Sequence, residues 1–125
     1  MERSLTVLLP VQDVQSTLAD TVAEVLEIAS DLTHRFELLI IDDGSTDATC
    51  EIADELVRHY PQVRSVRHSY PLGRDAAVQT GLIHSHGEVV FVREAGHTTL
   101  ERVHRASKPV RPNYLGRVGH FVADR

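Results

Sequence analysis

The chain has 125 residues, 42% hydrophobic and 25% charged, with a formal net charge of −5. That length and apolar content suit one domain that buries about two thirds of its unfolded surface without staples. Seven Arg stand against sixteen Asp and Glu up to Leu100, and six Arg and Lys against two acids after it; so acidic a body argues against nonspecific nucleic-acid binding, which needs Lys and Arg to neutralise phosphates.

In chain order, residues 4–9 (SLTVLL) are a short run of β-formers and read as strand β1. The apolar run ends at Pro10 and Asp13, too short for a signal peptide or a membrane span. Cys50 is the one cysteine, which rules out an intrachain disulfide and makes a reducing compartment the default. The chain therefore reads as soluble and cytoplasmic. Leu18, Val22, Val25, Leu26, Ala29 and Leu32 recur at helical spacing and predict an amphipathic helix over 14–32. Residues 36–41 (FELLII) read as β2, apolar enough for burial on both faces. After the DDGSTD turn, Ile52, Ala53, Leu56 and Tyr60 stripe a second helix that stops at Pro61.

Residues 63–67 (VRSVR) read as β3 and 88–93 (EVVFVR) as β4. Between them Ala76, Ala77, Thr80, Gly81 and Ile83 stripe a third helix, running from Gly73 to a C-cap at Gly87. Thr98 and Glu101 form a capping-box pair that predicts a short fourth helix. The SKPVRP stretch at 107–112 breaks the pattern, and 113–125 reads as one more strand or a loose arm. Residues 1–106 are thus expected to form the domain, with 107–125 as an extension.

This alternation predicts an α/β fold, a Rossmann-like, doubly wound and mostly parallel sheet of about four or five strands with helices on both faces. Ligand chemistry then belongs at the carboxyl ends of the strands. One aspartate there is ordinary beside the turn formers Gly44, Ser45 and Asp47. Two in a row, Asp42 and Asp43, point instead to acceptors for hydroxyl or ring N–H groups of a ligand.

Neither a G-x-G-x-x-G turn after β1 nor a P-loop is present. A phosphorelay receiver would carry paired acids on its first strand and a lysine later; the sole lysine here, Lys108, sits in the proline-rich break. His84 and His86 read as helix-end cations, Cys50 as a packing residue, and His97 with Glu94 as an alternative metal pair. Arg93 faces either the crevice or a neighbouring acid.

Over residues 4 to about 100, the succession LTVLLPV, helix, FELLIIDDGSTDAT, PLGRDAAVQTGL and HGEVVFVREAG resembles the nucleotide-binding half of family 2 glycosyltransferases, which have the GT-A fold. The resemblance implies a nucleotide-sugar donor, UDP-linked, and transfer with inversion. It implies that Asp43, beside Asp42, meets the uracil or ribose, that Pro10, Val11 and Gln12 line the base, and that Gly73 and Arg74 lie near the diphosphate.

The family's D-x-D motif falls on Glu94, Ala95 and Gly96. It is degenerate: Glu94 keeps a carboxylate and remains the nucleotide-site and metal candidate, while glycine at the metal position offers Mg²⁺ or Mn²⁺ no side-chain oxygen. The family's catalytic carboxylate belongs to a downstream acceptor half, and after Glu94 this chain has only Glu101 and Asp124. Two readings follow: a glycosyltransferase domain binding a nucleotide-sugar, or a noncatalytic domain of that fold binding a nucleotide, a protein partner or a second copy.

Overall fold

The computed structural model describes residues 3–93 in full, and residues 100–103 and 121–124 as backbone strands. The order is β1 (Leu5–Val11), α1 (Leu18–Leu32), β2 (Phe36–Asp43), α2 (Thr49–His59), β3 (Val63–His68), α3 (Arg74–His84), β4 (Val89–Arg93), β5 (Leu100–Val103) and β6 (Phe121–Asp124). The predicted α/β alternation is present.

The sheet has six strands in the order β5-β4-β1-β2-β3-β6. The central four run parallel, while β5 and β6 pair antiparallel on the outer sides of β4 and β3. Four or five strands were expected, and the difference lies at the edges. The predicted helix opening at Thr98 and Glu101 is replaced, over Leu100–Val103, by β5: the unpaired backbone groups along β4 offer that segment a full ladder, which outweighs a local capping signal. Residues 121–124 form a strand, one of the two outcomes expected for the C-terminal stretch.

Burial follows the period of two along each strand. Leu5, Val7, Leu9, Leu38 and Ile40 pack with Leu18, Val22, Val25 and Ala29 of α1 and Ala53 and Leu56 of α2. Leu8, Leu39, Ile41, Val66, Val90 and Val92 face the other way, onto Ala77 and Leu82 of α3. Helices therefore cover both faces, as a doubly wound sheet requires. In α1, Leu32 is 59% exposed and lies outside the core, and in α3 Leu82 takes the core position expected of Ile83.

Helix ends obey local chemistry. Tyr60, before Pro61, is extended at φ −116°, ψ 121°, because the proline ring disfavours helical geometry in its predecessor. Gly87 is not the C-cap of α3; the helix ends at His84 and Ser85 is already extended. Gly87 is needed for close approach instead, since a Cβ there would lie 2.5 Å from the Thr6 amide nitrogen.

Candidate functional site

The carboxyl ends of β1 and β2 are locked together by their own loops. Asp13, exposed and at φ 53°, takes the Thr46 amide on Oδ1 at 2.8 Å while its own amide donates to Ser45 Oγ at 2.9 Å. The Val14 amide donates to Thr49 Oγ1 at 2.8 Å, and the Ala48 amide to Gln15 Oε1 at 2.9 Å. The Gln15 amide reaches Asp47 at 3.2 Å. Hydrogen bonds from Thr49, above all, and from Gln15 hold the Asp47 carboxyl below its ordinary range. Much of the GSTDAT stretch therefore serves to staple two loops, tying up backbone N–H groups that an uncapped helix start leaves open.

Asp42 and Asp43 differ sharply. They point to opposite faces of the sheet, as neighbours on a strand must. Asp43, 5% exposed, accepts from His68 Nδ1 at 2.8 Å, from the Leu72 amide at 2.8 Å and from the Gly73 amide at 2.9 Å. Its oxygens thus hold the β3–α3 loop. Asp42, 1% exposed, accepts the Ser45 amide on Oδ1 at 3.0 Å, and its buried Oδ2 has no partner among the described residues. Such an orphan costs about 1–3 kcal/mol relative to a satisfied one.

The other expected residues gather around this pair. Pro10 and Val11, half-buried, end β1, where Val11 lies across from Asp42 in register; Gln12 is exposed on the rim. Gly73 sits at φ 104° immediately before α3, which has no side-chain cap, and Arg74 opens that helix with its guanidinium half exposed and 3.6 Å from Asp75. The structure therefore brings Pro10, Val11, Gln12, Asp42, Asp43, Gly73 and Arg74 to one end of the sheet.

Glu94, Gly96 and His97 lie outside the described residues. Among the described residues no group of three or more His, Cys, Asp or Glu could hold a metal ion. Arg93 resolves toward a neighbouring acid: its Nη2 donates to Glu24 of α1 at 2.5 Å, and its buried Nε and Nη1 have no partner among the described residues.

Sequence reasoning missed Asp13, His68 and Thr80. His68 is fully buried, with Nδ1 on Asp43 and Nε2 2.9 Å from Thr80 Oγ1. Its one sequence signal was its place at the end of β3, level with the end of β2.

Residues 6–95 match the sequence model for Glycosyl transferase family 2. A dolichyl-phosphate beta-glucosyltransferase of Trichomonas vaginalis is 32% identical over 96 residues, covering 75% of this chain and 28% of the relative. A putative glycosyltransferase of Mycobacterium tuberculosis is 38% identical over 64 residues, 51% of this chain and 19% of its own. In structure, the chain is similar to a mannosyltransferase of Pyrobaculum calidifontis solved with GDP-Man and Mn²⁺: TM-score 0.66 at 22% identity, over 73% of this chain and 27% of that one. This chain thus spans about a quarter of the length of such relatives, and no helix among the described residues is long and apolar enough to cross a membrane. With the family model covering most of the chain and a GT-A-like fold beneath it, the chain belongs to glycosyltransferase family 2.

Proposed function

We propose that this chain is the donor-binding part of a family 2 glycosyltransferase, that it takes a nucleoside-diphosphate sugar, UDP-linked, across the carboxyl ends of β1 and β2, and that the sugar is transferred with inversion. The observation that carries the reading is Asp42 Oδ2, a buried carboxylate oxygen without a partner among the described residues, at a strand end where α/β folds bind ligands. An N–H of the base or a ribose hydroxyl would supply the donor that oxygen lacks, reaching it once the residues that cover Asp42 move aside. Pro10 and Val11 offer the base an apolar edge. The uncapped start of α3 offers N–H groups to the diphosphate, and Arg74 beside it offers positive charge. Supporting the donor class, the mannosyltransferase of the same fold was solved with GDP-Man.

Titration with UDP, GDP, UDP-glucose and GDP-mannose, with and without Mn²⁺, tests the proposal through backbone amide shifts. The expected outcome is saturable binding with shifts at Val11, at Asp42 to Ser45 and at Gly73 and Arg74, with the uridine compounds tighter. Tighter guanosine binding would correct the base, and silence with every nucleotide would favour the noncatalytic, partner-binding reading.

A further inference from the structure

Three buried side chains form one hydrogen-bonded line from α3 to the end of β2. Thr80 Oγ1 lies 2.9 Å from His68 Nε2, and His68 Nδ1 lies 2.8 Å from Asp43 Oδ1. A carboxylate only accepts, so Nδ1 carries a proton and donates; the Thr80 hydroxyl, both donor and acceptor, satisfies Nε2 whatever the charge of the ring. In an open cleft, an acid, a histidine and a hydroxyl in this order would suggest a nucleophile. Here Thr80 is 2% exposed, His68 is fully buried and the line runs on into the β3–α3 loop, so it does another job.

That job is visible at its far end. Asp43 grips two consecutive amides, Leu72 on Oδ1 and Gly73 on Oδ2. The same loop rests on Gly44, at φ 68°, where a Cβ would run into the Tyr70 carbonyl carbon and lie 2.5 Å from Pro71 N. The loop is thus held from beneath by a glycine and from within by a carboxylate whose own orientation His68 fixes. Its next residues are Gly73 and Arg74, the start of α3.

We infer that the Thr80–His68–Asp43 line positions the β3–α3 loop so that the start of α3 meets the donor's diphosphate, with His68 a positioning residue that never touches the ligand. The inference rests on the nucleotide reading above for its purpose, though not for its geometry. Fixing the loop before binding spares the ordering cost that a mobile loop incurs when the ligand arrives.

The test is His68→Phe, which fills the space but donates nothing, compared with His68→Asn, whose amide restores a donor to Asp43. Hydrogen exchange at Leu72 and Gly73 reads the loop, exchange at Ile40 reads the fold as a whole, and UDP titration reads the site. The expected result for His68→Phe is exchange at Leu72 and Gly73 faster by roughly tenfold beyond any change at Ile40, with UDP binding weakened roughly tenfold. His68→Asn is expected to recover most of both.

A simply structural role would move all three amides alike and leave affinity untouched once folded, and that result overturns the inference. So does loss of loop protection with unchanged affinity. If His68→Phe does not fold, Thr80→Val, which removes one bond and keeps the His68–Asp43 pair, carries the same test with effects of roughly threefold. A parent that binds no nucleotide defeats the functional reading and the purpose given to the loop; the exchange result then separately upholds or overturns the anchoring itself.

Discussion

At the amino end of the sheet, Glu37 is bound from three sides. Thr6 Oγ1 and the His86 amide donate to its Oε2 at 2.5 and 2.7 Å, and Arg64 approaches Oε1 at 2.9 Å. Arg64 also donates to the His84 carbonyl, so this cluster ties β1, β2, β3 and the α3–β4 turn together and leaves both carboxylate oxygens occupied. At the carboxyl end, Asp42 and Asp43 sit side by side with no Lys or Arg paired to either among the described residues, and one oxygen is open. A carboxylate kept for structure arrives with its donors, as Glu37 and Asp43 do. One that has been desolvated and left partly unmatched, as Asp42 is, is where the proposed ligand would complete the arrangement.

The comparison breaks most visibly at Gly44. Gly44→Ala must adopt φ 68° with its Cβ against the backbone of Tyr70 and Pro71, and backbone cannot swing aside as a side-chain tip can. A loss of about 3 kcal/mol is expected on urea unfolding. A near-neutral result would show that the loop moves easily and that the carboxyl end is not preformed.

Asp43→Asn comes next, at about 2 kcal/mol, because an amide nitrogen in place of one oxygen faces an N–H that had an acceptor. Of the two aspartates, the family resemblance gave the base or ribose to Asp43, yet it is Asp43 whose oxygens are taken by His68, Leu72 and Gly73. The structure separates them, and thermal unfolding of the two asparagine variants measures the separation.

Glu37→Gln tests the amino end at about 1–2 kcal/mol at neutral pH. Burial raises the Glu37 pKa, but the Thr6 hydroxyl, the His86 amide and Arg64 together outweigh it and hold the group below its ordinary 4.5. A carboxyl lowered in the folded state adds stability above its unfolded pKa and loses it as pH falls through the folded one. The parent is therefore expected to lose stability more steeply than Glu37→Gln below about pH 4.5, the two converging in acid. Asp47, also lowered, is present in both proteins and cancels in the difference. Parallel pH profiles would mean that Glu37 does not hold the amino end in its charged form.

How far the sequence went depended on the range of the interactions. The four parallel strands and three helices were legible because apolar periodicity is local: Leu38 to Ile41 announce a doubly buried strand without reference to anything else. The edge strands were not, since Leu100 to Val103 extends only because β4 offers it a partner. In the site, the stretch from Asp42 to Thr49 drew attention as a source of ligand acceptors, yet most of its polar side chains staple loops. Which aspartate stays open depended on His68, 25 residues away and opposite Asp43 only once β2 and β3 are in register. Asp13 was equally hidden, because its role comes from a positive φ and a loop across the crevice.

The smallest expected effect on stability is the sharpest test of the open oxygen. In Asp42→Asn the side-chain oxygen can keep the Ser45 amide, while the new NH₂ takes the place of Oδ2, where no protein donor is displaced and a negative charge beside Asp43 disappears. Folding free energy should stay within about 0.5 kcal/mol of the parent or rise slightly, as at many functional sites. Nucleotide affinity should fall about tenfold, the equivalent of about 1.4 kcal/mol, because the base or ribose then meets a donor where it needs an acceptor. Calorimetry with UDP and urea unfolding on the same preparation decide the matter together. A loss of several kcal/mol in stability would mean that Oδ2 has a structural partner after all, making the two ends of the sheet alike, and unchanged affinity would remove Asp42 from the donor site.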